Sequence, residues 1–186
     1  MGKLVISQFM TIDGVVEDPG GSESMDRGGW AFKYDRGPDG DKFKLDEVMA
    51  ADALLLGRTT YEGFAEAWPS REGEFADKFN GMAKYVVSST IQDPDWNNSH
   101  VIAGDIAGRI SELKNEIDGD ILVNGSVQLC HLLFAEGLAD EVRLMVFPIV
   151  LGAGKRLFGD LAEPLGLALT ESIPAGETTV LVYQPA

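Results

Sequence analysis

Three short apolar runs punctuate the chain, and each stops at small or hydroxyl residues. Ala53-Leu54-Leu55-Leu56 stops at Gly57, Tyr85-Val86-Val87 at Ser88-Ser89-Thr90, and Ile121-Leu122-Val123 at Asn124-Gly125-Ser126. Runs that are apolar at consecutive positions suit strands buried on both faces, as in a sheet sandwiched between helices. Residues 4–12 predict an earlier strand, broken by Asp13-Gly14.

Helical patterns fall between these runs. Residues 43–50, 59–67 and 72–80 predict helices, and Asp105 is a good N-cap for one carrying Ile106, Ile110, Leu113 and Ile117 on one face. Residues 127–135 predict an apolar helix, with Gly137 where a C-terminal cap belongs. Val142, Leu144 and Val146 alternate as in a strand. Leu167, Leu169, Val180 and Val182 predict a C-terminal antiparallel pair turning at Pro174-Ala175-Gly176. The glycine- and acid-rich residues 17–40 predict a long loop, and loops of that length in a small domain are often functional. The order predicts an α/β fold: one domain over residues 1–186, a mostly parallel sheet and antiparallel strands at the C-terminal end.

Composition narrows the function classes. With 186 residues, 45% of them hydrophobic, the chain can build one real core. No apolar run approaches the roughly 20 residues of a membrane helix. A single cysteine, Cys130, excludes an intramolecular disulfide, and a cytoplasmic location is expected. Fifteen basic against thirty acidic residues give a net charge of −15, which would repel nucleic acid. A small anion is not excluded, because it senses its local site. His100 and His131 lie far apart and no metal site is expected.

Some motifs fail. Gly152-Ala153-Gly154-Lys155 is not a phosphate loop, because Arg156 follows the lysine and position 149 is Ile. The spacing of a dinucleotide glycine fingerprint fails as well, since its third glycine falls on Leu157. The three strand ends survive as a signal. Ligands of open α/β sheets bind beyond the carboxyl ends of strands, and a helix N-terminus offers free N–H groups to a phosphate. Gly57 and Gly125 would allow close backbone approach, and Arg58 adds a forked donor. Capping alone also explains glycine and serine at any one such turn.

At this point the sequence resembles a family. Leu55-Leu56-Gly57-Arg58-Thr59-Thr60-Tyr61-Glu62 is similar to the G-R-x-T-[YW]-E segment of dihydrofolate reductases. Ser7-Gln8-Phe9-Met10-Thr11-Ile12-Asp13-Gly14 resembles the S-[LI]-D-G opening of riboflavin-type reductase domains. Residues 137–144 and 147–154 resemble that branch's G-L-x-D-E-[LV]-x-L and P-[VI]-[VL]-L-G-x-G strings. The matches run in order across nearly the whole chain. Val15 stands where the branch carries Lys, and Asn124-Gly125-Ser126 where it carries E-G-G.

The resemblance implies a dihydrofolate reductase-like three-layer fold, with helices on both faces of the sheet, that binds NADPH. It assigns Gly57, Arg58, Thr59 and Thr60 to the dinucleotide phosphates. Ser88 and Ser89 would lie by the adenosine ribose, Gly125 and Ser126 by the pyrophosphate, and Leu151 and Gly152 on the neighbouring loop. Asp13 becomes the candidate catalytic residue at the nicotinamide mouth, and Trp30, Phe32, Asp41 (with Asp46 as its alternative) and Tyr61 the candidates for holding a planar substrate. The implied activity is hydride transfer to a small pterin- or pyrimidine-like ring or a carbonyl. A homodimer is also implied. The alternative is a catalytically inactive nucleotide-binding or stress-associated protein on the same fold.

Overall fold

The computed structural model describes residues 1–186. Its strands are β1 (Leu4–Thr11), β2 (Ala51–Gly57), β3 (Ala83–Val87), β4 (Ser99–Ile102), β5 (Asp120–Val123), β6 (Glu141–Phe147), β7 (Leu167–Ala175) and β8 (Thr178–Pro185). The helices are α1 (Gly37–Ala50), α2 (Arg58–Ala67), α3 (Glu74–Gly81), α4 (Ile106–Glu116) and α5 (Val127–Ala135). All eight strands form one sheet in the order β4-β3-β2-β5-β1-β6-β8-β7. Pairings are parallel from β4 to β6, and antiparallel where β8 joins β6 and β7.

The consecutive apolar runs are explained by burial on both faces. Val5, Leu54, Leu56, Val86 and Leu122 meet Val48 of α1, Tyr61 of α2 and Phe79 of α3. Leu4, Ile6, Ala53, Leu55, Ile121 and Val123 meet Ile110 and Leu113 of α4 and Leu129 and Leu133 of α5. Helices thus cover both faces of the parallel part. A third core, built on Met145, Phe147, Val180 and Val182, sits under the loop after β1 and includes Trp30.

Among the boundaries that differ from expectation, two have a readable cause. Helix α1 begins at Gly37, six residues before the predicted start, because Pro38 sits in its first turn, where a missing N–H costs nothing. The string Gly-Pro-Asp-Gly reads as loop only when position along the helix is ignored. Pro174 and Ala175 belong to β7, paired with Thr179 and Thr178, so the turn is Gly176-Glu177 alone. The long loop also holds a 3-10 turn at Trp30–Lys33. No helix is long and apolar enough to cross a membrane.

Candidate active site

The carboxyl ends of β3, β2 and β5 are neighbours in the sheet, so the three signals noted above converge on one edge. A cleft of about 670 Å³ opens there. Its walls include Gly57, Arg58, Thr59 and Thr60, then Ser88 and Ser89, then Gly125 and Ser126. Leu151 and Gly152 do not line it.

The two glycine corners are fastened to each other. The Gly57 N–H donates to Ser126 Oγ at 2.9 Å, and the Ser126 N–H donates to Thr60 Oγ1 at 2.9 Å. Ser126 takes a left-handed conformation, φ 55°, to make both bonds. From β1, Gln8 Nε2 donates to the Gly125 carbonyl at 2.7 Å, and Asn124 Nδ2 donates to the Ser7 carbonyl at 3.0 Å. The glycine-turn amides are therefore partly spent. What remains open is the first turn of each helix. The N–H groups of residues 58–60 and 127–129 precede the first N–H that donates within each helix, and no side chain caps either helix. Two positive helix ends thus face one cleft.

Arg58 reaches only Glu62, at 3.6 Å, with both side chains about half exposed. Such a pair is weak and leaves the guanidinium free to turn to an anion. Ser88 Oγ accepts from the N–H groups of Thr90 and Ile91 at 3.1 Å each, so it shapes its turn, and Ser89 remains exposed. Apolar Val87, Ile102, Ile106, Leu129 and Leu132 line the rest of this wall.

Asp13 is placed differently. Its carboxylate accepts from Thr11 Oγ1 at 2.7 Å and from the N–H groups of Leu151 at 3.1 Å and Gly152 at 2.8 Å. The Thr11 hydroxyl, then the Gly152 and Leu151 amides, hold its pKa down at about 2. A carboxylate so committed is a poor proton donor, and Asp13, the candidate catalytic residue, does not line the cleft. It clasps the end of β1 to residues 149–152, and those two amides are unavailable to a cofactor. Cys130, behind Gly125, is pushed up to about 12 by burial and offers no thiolate at neutral pH.

The expected substrate residues do not assemble. Trp30 is fully buried, its Nε1 donates to the Glu17 carbonyl at 2.9 Å, and its ring meets Phe147 edge-on. Tyr61 is buried on the α1–α3 side, where its hydroxyl accepts from the Trp96 N–H at 3.0 Å. Phe32 is 80% exposed, and Asp41 pairs with Arg36 on the surface. None of the four lines the cleft. Sequence reasoning missed Glu17, Glu23 and Lys155, which also line the cleft, and Gln8, whose amide props Gly125. A polar Gln8 in an apolar strand was the one readable hint. The acids of a long loop gave none.

This fold, with two helix ends over one parallel-sheet edge, defines a dihydrofolate reductase-like α/β protein. The family model of the RibD C-terminal domain matches residues 2–181, and the chain belongs to that family. YyaP, an uncharacterized protein of Bacillus subtilis strain 168, is 27% identical over 188 residues, covering 97% of this chain and 94% of its own. A putative riboflavin biosynthesis protein from Shewanella sp. PV-4 superposes with TM-score 0.78 at 21% identity, covering 100% of this chain and 99% of that one. Dihydrofolate reductase from Enterococcus faecalis, complexed with NADP(H), superposes with TM-score 0.60 at 16% identity, covering 99% and 96%.

Proposed function

We propose that this chain is a reductase that binds NADPH across the Gly57 and Gly125 corners and reduces a small heterocyclic or carbonyl substrate. The observation that carries the reading is the convergence of two uncapped helix N-termini on one cleft of about 670 Å³. A dinucleotide has two linked phosphates to offer those amides. Gly125 supports the fit, since a Cβ there would lie 2.8 Å from Thr60 Oγ1 and push apart the two corners that line the cleft. Membership of the RibD C-terminal domain family supports the reductase class.

On this reading the N–H groups of residues 58–60 and 127–129 bind the phosphates. Arg58 and Ser89 hold the adenosine end, and Ile102, Ile106 and Leu132 exclude water beside it. The bound cofactor supplies the hydride. The chain's contribution is placement of the reacting carbons, a large effect when two reactants are held in register.

Titration with NADPH, followed by nicotinamide fluorescence, tests this. Saturable binding is expected, weakened roughly tenfold by Arg58→Ala, the loss of one charge-assisted contact. No binding at millimolar NADPH ends the proposal. A second reading, a nucleotide-binding protein without chemistry, draws on the commitment of Asp13 to its clasp. It predicts NADPH binding with no oxidation against pterins, flavins or pyrimidines.

A further inference from the structure

Two acids, Glu17 and Glu23, join the lining of the cleft. The loop after β1 brings them there, and the first residues of α2 and α5 line the same cleft. Asp18, itself buried, fixes this segment: its carboxylate accepts from the Glu23 N–H at 2.9 Å and the Met25 N–H at 3.1 Å. Glu17 is neutralised in place, with Oε2 accepting from the Lys155 N–H at 2.9 Å and Oε1 3.2 Å from Lys155 Nζ. Glu23 has no such partner. Its carboxyl makes no hydrogen bond or ion pair, and Asp18 orders the backbone that presents it to the cleft.

A carboxylate facing an anion-binding cleft is costly once an anion arrives. Like charges a few ångströms apart disfavour ionisation, and the acid escapes the repulsion by taking a proton. We propose that Glu23 takes up a proton when a dinucleotide enters the cleft, so that anion binding and protonation of this loop are linked. The inference rests on the reading of the cleft as a dinucleotide site. The surroundings favour it. Asp18 and, more weakly, Glu17 on the same loop repel a charge at Glu23, and Lys155, although paired with Glu17, offsets part of that repulsion. Arg58, at the start of α2 on the same cleft, is shared with Glu62. The α4 and α5 residues on the cleft, Ile106, Gln128, Leu129 and Leu132 among them, bring no charge. Even with the cleft empty, partial desolvation of this exposed residue and then Asp18 hold the Glu23 pKa above the usual carboxylate range, against the pull of Lys155.

Linkage fixes the sign. A bound anion raises the Glu23 pKa further, so affinity rises as pH falls and protons are taken up on binding. Calorimetric titration of the full chain with NADPH, in two buffers of different ionisation enthalpy, counts those protons. The comparison is with Glu23→Gln, an isosteric change on an exposed loop that removes the charge. The cofactor's own phosphate titration cancels in the difference. The wild type should take up a fraction of a proton more than the variant. Its affinity should gain roughly three- to tenfold more on acidification, the scale of one charge contact in a wet cleft. At neutral pH the variant should bind more tightly than the wild type. Equal proton uptake in the two proteins overturns the inference while leaving the cleft reading intact. Absence of NADPH binding in both, at every pH, overturns the cleft reading and the inference with it.

Discussion

The corner joining Gly57 to Gly125 and the clasp joining Asp13 to Gly152 are built alike and end up opposite in availability. Each ties two segments distant in sequence through a short polar side chain and backbone N–H groups. At the corner Ser126 accepts one amide, from Gly57, and the first-turn amides of α2 and α5 stay open to the cleft. At the clasp Asp13 takes both amides it faces, from Leu151 and Gly152, and Arg27 donates to the Leu151 carbonyl as well. The difference is charge. A hydroxyl satisfies one donor and leaves the helix field unopposed, whereas a carboxylate consumes the donors and cancels the local positive potential. Glycine-rich sequence is common to both places, so glycine alone does not mark an anion site.

The largest expected effect comes from placing a methyl group at each site. Gly125→Ala must adopt φ +55°, and its Cβ would lie 2.8 Å from Thr60 Oγ1 and 3.0 Å from Thr60 Cγ2. The left-handed conformation costs about 1–2 kcal/mol, and Thr60 has to move as well. Thr60 holds the Ser126 N–H, so both corners shift and NADPH affinity should fall more than tenfold. Gly152→Ala, at φ +75°, has only Arg27 Nη1 at 3.5 Å, an ordinary contact. It should lower the thermal midpoint and leave affinity unchanged. Fluorescence titration and thermal melts of the pair check this. Equal affinity losses in the two variants would erase the contrast.

A smaller effect isolates the hydroxyl. Ser126→Ala leaves the Gly57 N–H without its acceptor while keeping the backbone path. An unmet buried donor costs about 1–3 kcal/mol, and water admitted through the cleft should bring this toward the lower end. Affinity should drop severalfold, less than for Gly125→Ala, with stability read by denaturant unfolding. A variant with wild-type stability and wild-type affinity would show that the two corners keep their spacing without the hydroxyl.

Much of the scaffold was legible because burial on both faces writes itself into consecutive apolar residues. The helix over Val127–Ala135 and the Asp105 cap, whose side chain accepts from the Gly108 N–H, needed only local information. The site was less legible. Trp30 and Tyr61 have the right chemistry for a ring-binding wall, but which aromatic faces a cleft depends on packing from remote strands, and both are buried in cores. Asp13 looked catalytic because an acid after a strand end is a reasonable reactant. Its partners Leu151 and Gly152 lie 138 and 139 residues away, and nothing near Asp13 announces them. Glu23 escaped notice for the same reason, since the cleft it faces is built by residues 57–60 and 125–128.

The smallest expected effect on binding, and the most direct test of the clasp, is Asp13→Asn. The folded carboxyl sits at about 2 against an ordinary 3.8. Depression of an acid's pKa on folding means that the unfolded chain binds more protons between those values. The stability that the carboxylate contributes is therefore complete above pH 3.8 and is lost as pH falls through about 2. Asn keeps one acceptor oxygen and loses the charge, so it should satisfy one of the two amides and place its NH₂ against the other. The variant should melt roughly a few degrees lower than the wild type at neutral pH, the scale of a lost charged hydrogen bond in a domain of this size. The two melting curves should converge as pH approaches 2. NADPH affinity should stay within about twofold, because the clasp amides do not face the cleft. A tenfold loss of affinity in Asp13→Asn would mean that residues 149–152 reach the dinucleotide after all, and that clasp and corner are one site.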